Sequence, residues 1–64
     1  MKIGTTIRTL REQRGMSVAE LAKELGASQS TVKGWEGNRR EPRIRFIIKI
    51  VKLYGIKMMD LLGF

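Results

Sequence analysis

The 64-residue chain contains no cysteine and no histidine. Thiolate and imidazole chemistry is therefore closed to it, including the usual zinc and haem sites, cysteine nucleophiles and histidine-based triads. Disulfides cannot supplement the small core either. The chain is read as a non-enzyme without metal or cofactor, and no small-molecule ligand is evident. Acidic residues are scarce. Six Asp and Glu stand against thirteen Lys and Arg, giving a formal net charge of +7 and a pI near 10.6. Long apolar runs are missing as well: the stretch from Phe46 to Tyr54 is interrupted by Lys49 and Lys52 and is far too short to span a bilayer. The opening Met1-Lys2-Ile3-Gly4-Thr5-Thr6 has no apolar segment of signal-peptide length. A cytoplasmic protein is expected, and the lack of cysteine agrees with a reducing compartment.

What is present fits one small domain spanning residues 1–64. A chain of this size buries only about 60% of its unfolded surface, so its core must be economical. The strong positive field favours a polyanionic partner, either nucleic acid or an anionic membrane surface.

Turn and cap residues divide the chain into five short helical segments. Ile3, Ile7 and Leu10 recur at helical spacing, and Gly15 stops that helix as a left-handed cap. Ser17 followed by Glu20 reads as a capping box opening a second helix, whose apolar face is Leu21, Ala22 and Leu25. Gly26 ends it, and Ser28 caps a third segment running through Val32 and Trp35. Gly37-Asn38 breaks the chain, and Pro42 suits the first turn of a fourth helix with the stripe Ile44, Ile47, Ile48, Val51 and Tyr54. The β-branched run Ile47-Ile48-Lys49-Ile50-Val51 favours a strand by propensity, but its caps and three-to-four spacing argue helix. Gly55 precedes a short terminal segment, Met58 to Leu62.

The two middle segments, about residues 17–36, have the geometry of a helix-turn-helix. Ala22 is small where two steeply crossing helices approach, and Gly26 supplies the positive φ of a tight turn. Val32 and Trp35 anchor the second helix, leaving Gln29, Ser30, Lys33 and Gly34 on a polar, short-chained face suited to a DNA major groove.

With these residues in place, the sequence resembles the lambda-repressor and Cro type of helix-turn-helix regulators, the Xre family. The resemblance rests on Ile7-Arg8-Thr9-Leu10-Arg11-Glu12, Gly15 to Ala22, Leu25 to Val32, Trp35-Glu36, Pro42 and Leu61-Leu62, in this order and spacing. It implies an all-α, compact five-helix bundle that binds operator DNA as a homodimer. One departure stands out. The family runs Trp-Glu, any residue, then Gly, whereas Gly37 precedes Asn38. Asn tolerates the left-handed region better than most residues, so the cap can survive.

The base-contacting candidates are Gln29, Ser30, Lys33 and Gly34. Gln29 can bond adenine bidentately and Lys33 can reach guanine. Gly34, costing about 1 kcal/mol inside a helix, is read as allowing close approach to the duplex. Ser28, Thr31, Asn38, Arg39, Arg40, Arg43 and Arg45 are the phosphate candidates. The resemblance also places Arg43 near the minor groove at the operator centre. Residues 37–64 carry seven basic and two acidic groups, so five of the seven net charges follow the recognition helix.

The resemblance implies that Arg11 and Glu36 form an ion pair that orients this helix. Trp35 reads as a core anchor. Leu61 and Leu62 close the core, whereas Ile56, Met58, Met59 and Phe64 are expected to be exposed. They would form a two-fold interface in a C-terminal dimerisation region of about residues 56–64.

The leading function is a sequence-specific DNA-binding transcription regulator, a repressor acting as a homodimer on a palindromic operator. An antitoxin or protein-interaction module on the same fold is the first alternative. A cationic membrane-surface protein, using the amphipathic stretch Arg43 to Tyr54, is a weaker one, because the capping box and Gly turns presuppose a packed domain.

Overall fold

A computed structural model describes residues 3–63. Five helices follow one another: α1 (Ile3–Gln13), α2 (Val18–Leu25), α3 (Gln29–Glu36), α4 (Ile44–Tyr54) and α5 (Met58–Leu62). No strand occurs among the described residues, and the β-branched run lies inside α4.

Side chains and turn residues set the helix ends. At α2, the Glu20 amide donates to Ser17 Oγ at 3.0 Å and the Ser17 amide donates to Glu20 Oε1 at 2.8 Å. The Ser17 amide, with a smaller effect of the Ser17 hydroxyl, holds the Glu20 carboxyl below its usual range, because hydrogen bonds to the carboxylate favour its charged form. Gly26, at φ +69°, turns the chain from α2 toward α3. After α3 the left-handed position falls on Asn38 at φ +57°, and Gly37 keeps an ordinary φ of −85°. The cap thus survives the exchanged order of Gly and Asn.

The core lies where α3 meets α1 and α2, and continues to α4 and α5. Ile7, Leu21, Leu25, Val32, Ile50 and Leu61 are fully buried, joined by Ile3, Ala22, Trp35, Ile47 and Tyr54. Trp35 packs tilted against Phe46, with ring centroids 5.2 Å apart. The Tyr54 hydroxyl donates to Met16 Sδ at 3.6 Å, and burial pushes its phenol pKa up.

Three sequence expectations change. The apolar stripe of α4 is rotated: Ile50 is fully buried, while Ile44 is 60% and Ile48 41% exposed. Apolar residues cover so much of this helix that its own periodicity does not say which sector faces inward. Contacts with α2 and α5 decide that. Pro42 is not in the first turn. Arg43 is the N-cap of α4, and Pro42 precedes it, buried. The expected exposed cluster at the C-terminal end also shrinks. Ile56 and Met58 are half-buried against the core because α5 folds back onto α1 and α4. Met59 remains 55% exposed, and Phe64 lies outside the described residues.

One close approach escaped the sequence reading. Gly4 is buried in α1, and a Cβ there would overlap the Trp35 carbonyl and come within 2.8 Å of Asn38 Oδ1. The backbones of α1 and α3 touch because residue 4 has no side chain. Gly4→Ala is therefore expected to destabilise the fold by about 1–3 kcal/mol, outweighing the better helix propensity of Ala. Urea denaturation checks this, and an unchanged midpoint would contradict it.

Candidate nucleic-acid interface

The short helix α3 has two faces. Val32 and Trp35 point inward and are buried, while Gln29, Ser30 and Lys33 are exposed. Ser28 prepares its N-terminus: its Oγ accepts from the Thr31 amide at 3.1 Å and lies 2.8 Å from Thr31 Oγ1. Both hydroxyls are therefore engaged in the cap, with the helix amides and their positive dipole end beside them. Gln29 occupies the first helical position, and Lys33 stands one turn further along.

Gly34 lies four residues after Ser30, on the outward side of α3, yet it is buried. The Arg40 side chain covers it: a Cβ at residue 34 would meet Arg40 Cδ at 3.1 Å and Cγ at 3.3 Å. In this structure the methylenes of Arg40 cover Gly34, the fourth base-contacting candidate, and leave it buried.

The basic candidates fall into separate environments. Thr31, Arg40 and Arg43 line a cleft of about 100 Å³ together with Trp35, Glu41 and Phe46. Arg45 does not line this cleft; its guanidinium lies 4.9 Å from the Phe46 ring centre. The Arg39 guanidinium folds over Gly37, where a Cβ would lie 2.6 Å from Nη1. Asn38, although exposed, donates through Nδ2 to Thr5 Oγ1 at 3.2 Å and so ties the end of α3 to α1.

Lys49 was not among the sequence candidates. Its Nζ donates to the Leu25 carbonyl at 3.1 Å, at the C-terminal end of α2 beside the turn. A cation there complements the negative end of the helix. Its place in α4, half a chain away, left no local signal.

The orientation of α3 depends on Arg11. Its Nε donates to Glu36 Oε2 at 2.7 Å and its Nη2 donates to Glu36 Oε1 at 3.0 Å. The remaining Nη1 donates to the Met16 carbonyl at 2.7 Å. The two side chains are only 13% and 9% exposed. The hydrogen bonds to Glu36 push the Arg11 pKa up, outweighing the opposing effect of burial.

The profile of the helix-turn-helix family matches residues 7–61. The chain belongs to this family, in its lambda-repressor and Cro branch. A helix-turn-helix transcriptional regulator of Archaeoglobus fulgidus is 33% identical over 60 residues, covering 94% of this chain and 86% of its own. The cryptic phage CTXphi transcriptional repressor RstR of Vibrio cholerae is 29% identical over 57 residues, 89% of this chain and 51% of its own. The restriction-modification controller C.AhdI from Aeromonas hydrophila superposes with a TM-score of 0.84 at 32% identity, over 94% of this chain and 91% of that one. The DNA-binding domain of SinR from Bacillus subtilis gives 0.84 at 31% identity, over 94% and 88%. SinR, a master regulator of biofilm formation, has also been solved in complex with DNA, and that structure superposes equally well.

In this helix-turn-helix domain the Arg11–Glu36 pair is nearly enclosed, so losing one partner strands a charge. Arg11→Met is expected to cost roughly 3 kcal/mol, with Arg11→Met/Glu36→Leu recovering most of the loss. A double-mutant cycle in urea measures the coupling. Additive losses would show that the two side chains act independently.

Proposed function

We propose that this helix-turn-helix transcription regulator is a repressor that occupies a palindromic operator as a homodimer in the cytoplasm. The observation carrying this reading is the exposed row Gln29, Ser30 and Lys33 on a helix held from behind by Trp35, Val32 and the Arg11–Glu36 pair. The first turn of α3 enters the major groove. Gln29 reads adenine N6 and N7, Ser30 adds a less selective bond, and Lys33 reaches guanine or a neighbouring phosphate. Ser28, Thr31, Arg39, Arg43 and Arg45 set the register on the backbone. SinR and its complex with DNA support this placement through the shared fold.

Two copies acting on one face of the duplex would set their recognition helices about 34 Å apart. The exposed large apolar side chains of the described residues are Ile44, Ile48 and Leu53 on α4 and Met59 on α5. Ile44 and Ile48, one turn apart on the same flank of α4, together with Met59 would supply the self-complementary surface that a two-fold dimer needs, whereas Leu53 lies on the opposite flank. A membrane-surface role has less support. The inward side of α4, with Ile47, Ile50 and Tyr54, is already buried, and no described helix is long and apolar enough to cross a membrane.

Selection of bound sequences from a random duplex pool tests the function directly: a palindromic motif with half-sites one helical turn apart is expected, and no enrichment would refute it. Gln29→Ala should weaken selected DNA by about 1–3 kcal/mol and leave random DNA nearly unchanged. By contrast, Arg43→Ala should weaken both and lower the salt slope by about one. Ile48→Glu and Met59→Glu should each convert two-site occupancy into half-site binding, with affinity falling about a hundredfold. Gel shift and sedimentation read both effects, and intact dimers in both variants would exclude this surface.

A further inference from the structure

The outward side of α3 carries a glycine where a groove-reading helix presents a side chain. Ser30 lies opposite the buried Val32 and Trp35, and Gly34, one turn after it, borders the row proposed to face DNA. Its burial comes from outside the helix. The Arg40 Cβ, Cγ and Cδ atoms all lie within 3.6 Å of where a residue-34 Cβ would stand. The backbone fixes the root of this arm, since the amides of Arg39 and Arg40 both donate to the Gly34 carbonyl, at 2.9 and 3.1 Å. Arg40 therefore starts at the C-terminal end of α3 and folds over that helix. Its guanidinium makes no ion pair among the described residues, although Glu41 is the next residue.

We infer that Arg40, seated on Gly34, supplies the base-reading side chain that position 34 lacks, making it a specificity-determining residue and not only a phosphate contact. This rests on the proposed major-groove placement of α3. A guanidinium carried on that face presents two parallel N–H groups, the fork that matches guanine O6 and N7. Gly34 is the positioning residue. A side chain longer than a methyl there would occupy the channel that the Arg40 methylenes follow. A mid-helix glycine and an arginine six residues later thus form one functional unit.

The test is binding-site selection from a random duplex pool, followed by affinity measurements on the selected operator and on random duplex. Wild type, Arg40→Ala, Arg40→Lys, Gly34→Leu and the Arg40→Ala/Gly34→Leu double variant are compared, with thermal melts confirming folding. Wild type should select a guanine at one position of each half-site. Arg40→Ala should lose that preference, with the ratio of operator to random affinity falling about tenfold. Arg40→Lys keeps the charge but loses the planar fork, and should recover affinity for random DNA fully and the guanine preference only in part. Gly34→Leu should lose the same guanine with its charge intact, and adding Arg40→Ala to it should lower the ratio little further.

Equal loss by Arg40→Ala on operator and random DNA, with only a lower salt slope, would reduce Arg40 to a phosphate contact and overturn the inference. Retention of the guanine in Gly34→Leu would overturn the role of the glycine seat. A wild-type protein that enriches no sequence would instead refute the proposed function.

Discussion

The Arg11 guanidinium meets both oxygens of Glu36 and the carbonyl of Met16, joining the last turn of α1, the end of α3 and the loop entering α2. No other polar contact among the described residues ties these three segments together. Because α3 has only eight residues, its own hydrogen bonds cannot stabilise it or set its direction. Gly4 completes the constraint by letting the α1 backbone reach the Trp35 carbonyl. With the last turn of α3 fixed at two levels of α1, the direction in which Gln29, Ser30 and Lys33 project becomes a property of the whole domain.

This arrangement separates two kinds of electrostatics. Residues 1–36 carry six basic and four acidic groups, and much of that charge is paired or cap-forming. The remaining five net charges lie after α3. Arg39, Arg40 and Arg43 against Glu41 give +2 on the segment that leads into α4, Arg45, Lys49 and Lys52 add +3 on α4 itself, and Lys57 and Asp60 cancel. Such a distribution places long-range attraction beside the reading helix, where it raises encounter without imposing a sequence preference. Glycines refine it. Gly34 and Gly37 let Arg39 and Arg40 lie against α3 instead of extending freely into solvent. In the proposed complex with DNA, an arginine ordered beforehand loses less entropy on binding.

The apolar surface shows a similar economy. A five-helix domain of this size needs few core residues, and α4 carries more apolar side chains than its inward face can use. Ile44, Ile48 and Leu53 are the surplus, with Met59 from α5. Ile56 and Met58, which the sequence alone assigns to that surplus, pack half-buried against the core. The exposed apolar material therefore lies more on α4 than on the C-terminal segment.

Local chemistry determined much of this protein without help from the fold. The Ser17–Glu20 capping box, the Ser28 cap and the positive φ values of Gly26 and Asn38 each depend on residues within a few positions, and they mark out the helix-turn-helix. The order of motifs identified the family, and with it the Arg11–Glu36 partnership. Tertiary structure decided the rest, because those features depend on residues far apart in sequence. Which sector of α4 faces inward is set by α2 and α5, and the need for glycine at position 4 is set by a carbonyl on α3. The burial of Gly34 is set by a side chain that arrives from the following loop. Periodicity reports that a helix has an apolar side; only packing reports what that side meets.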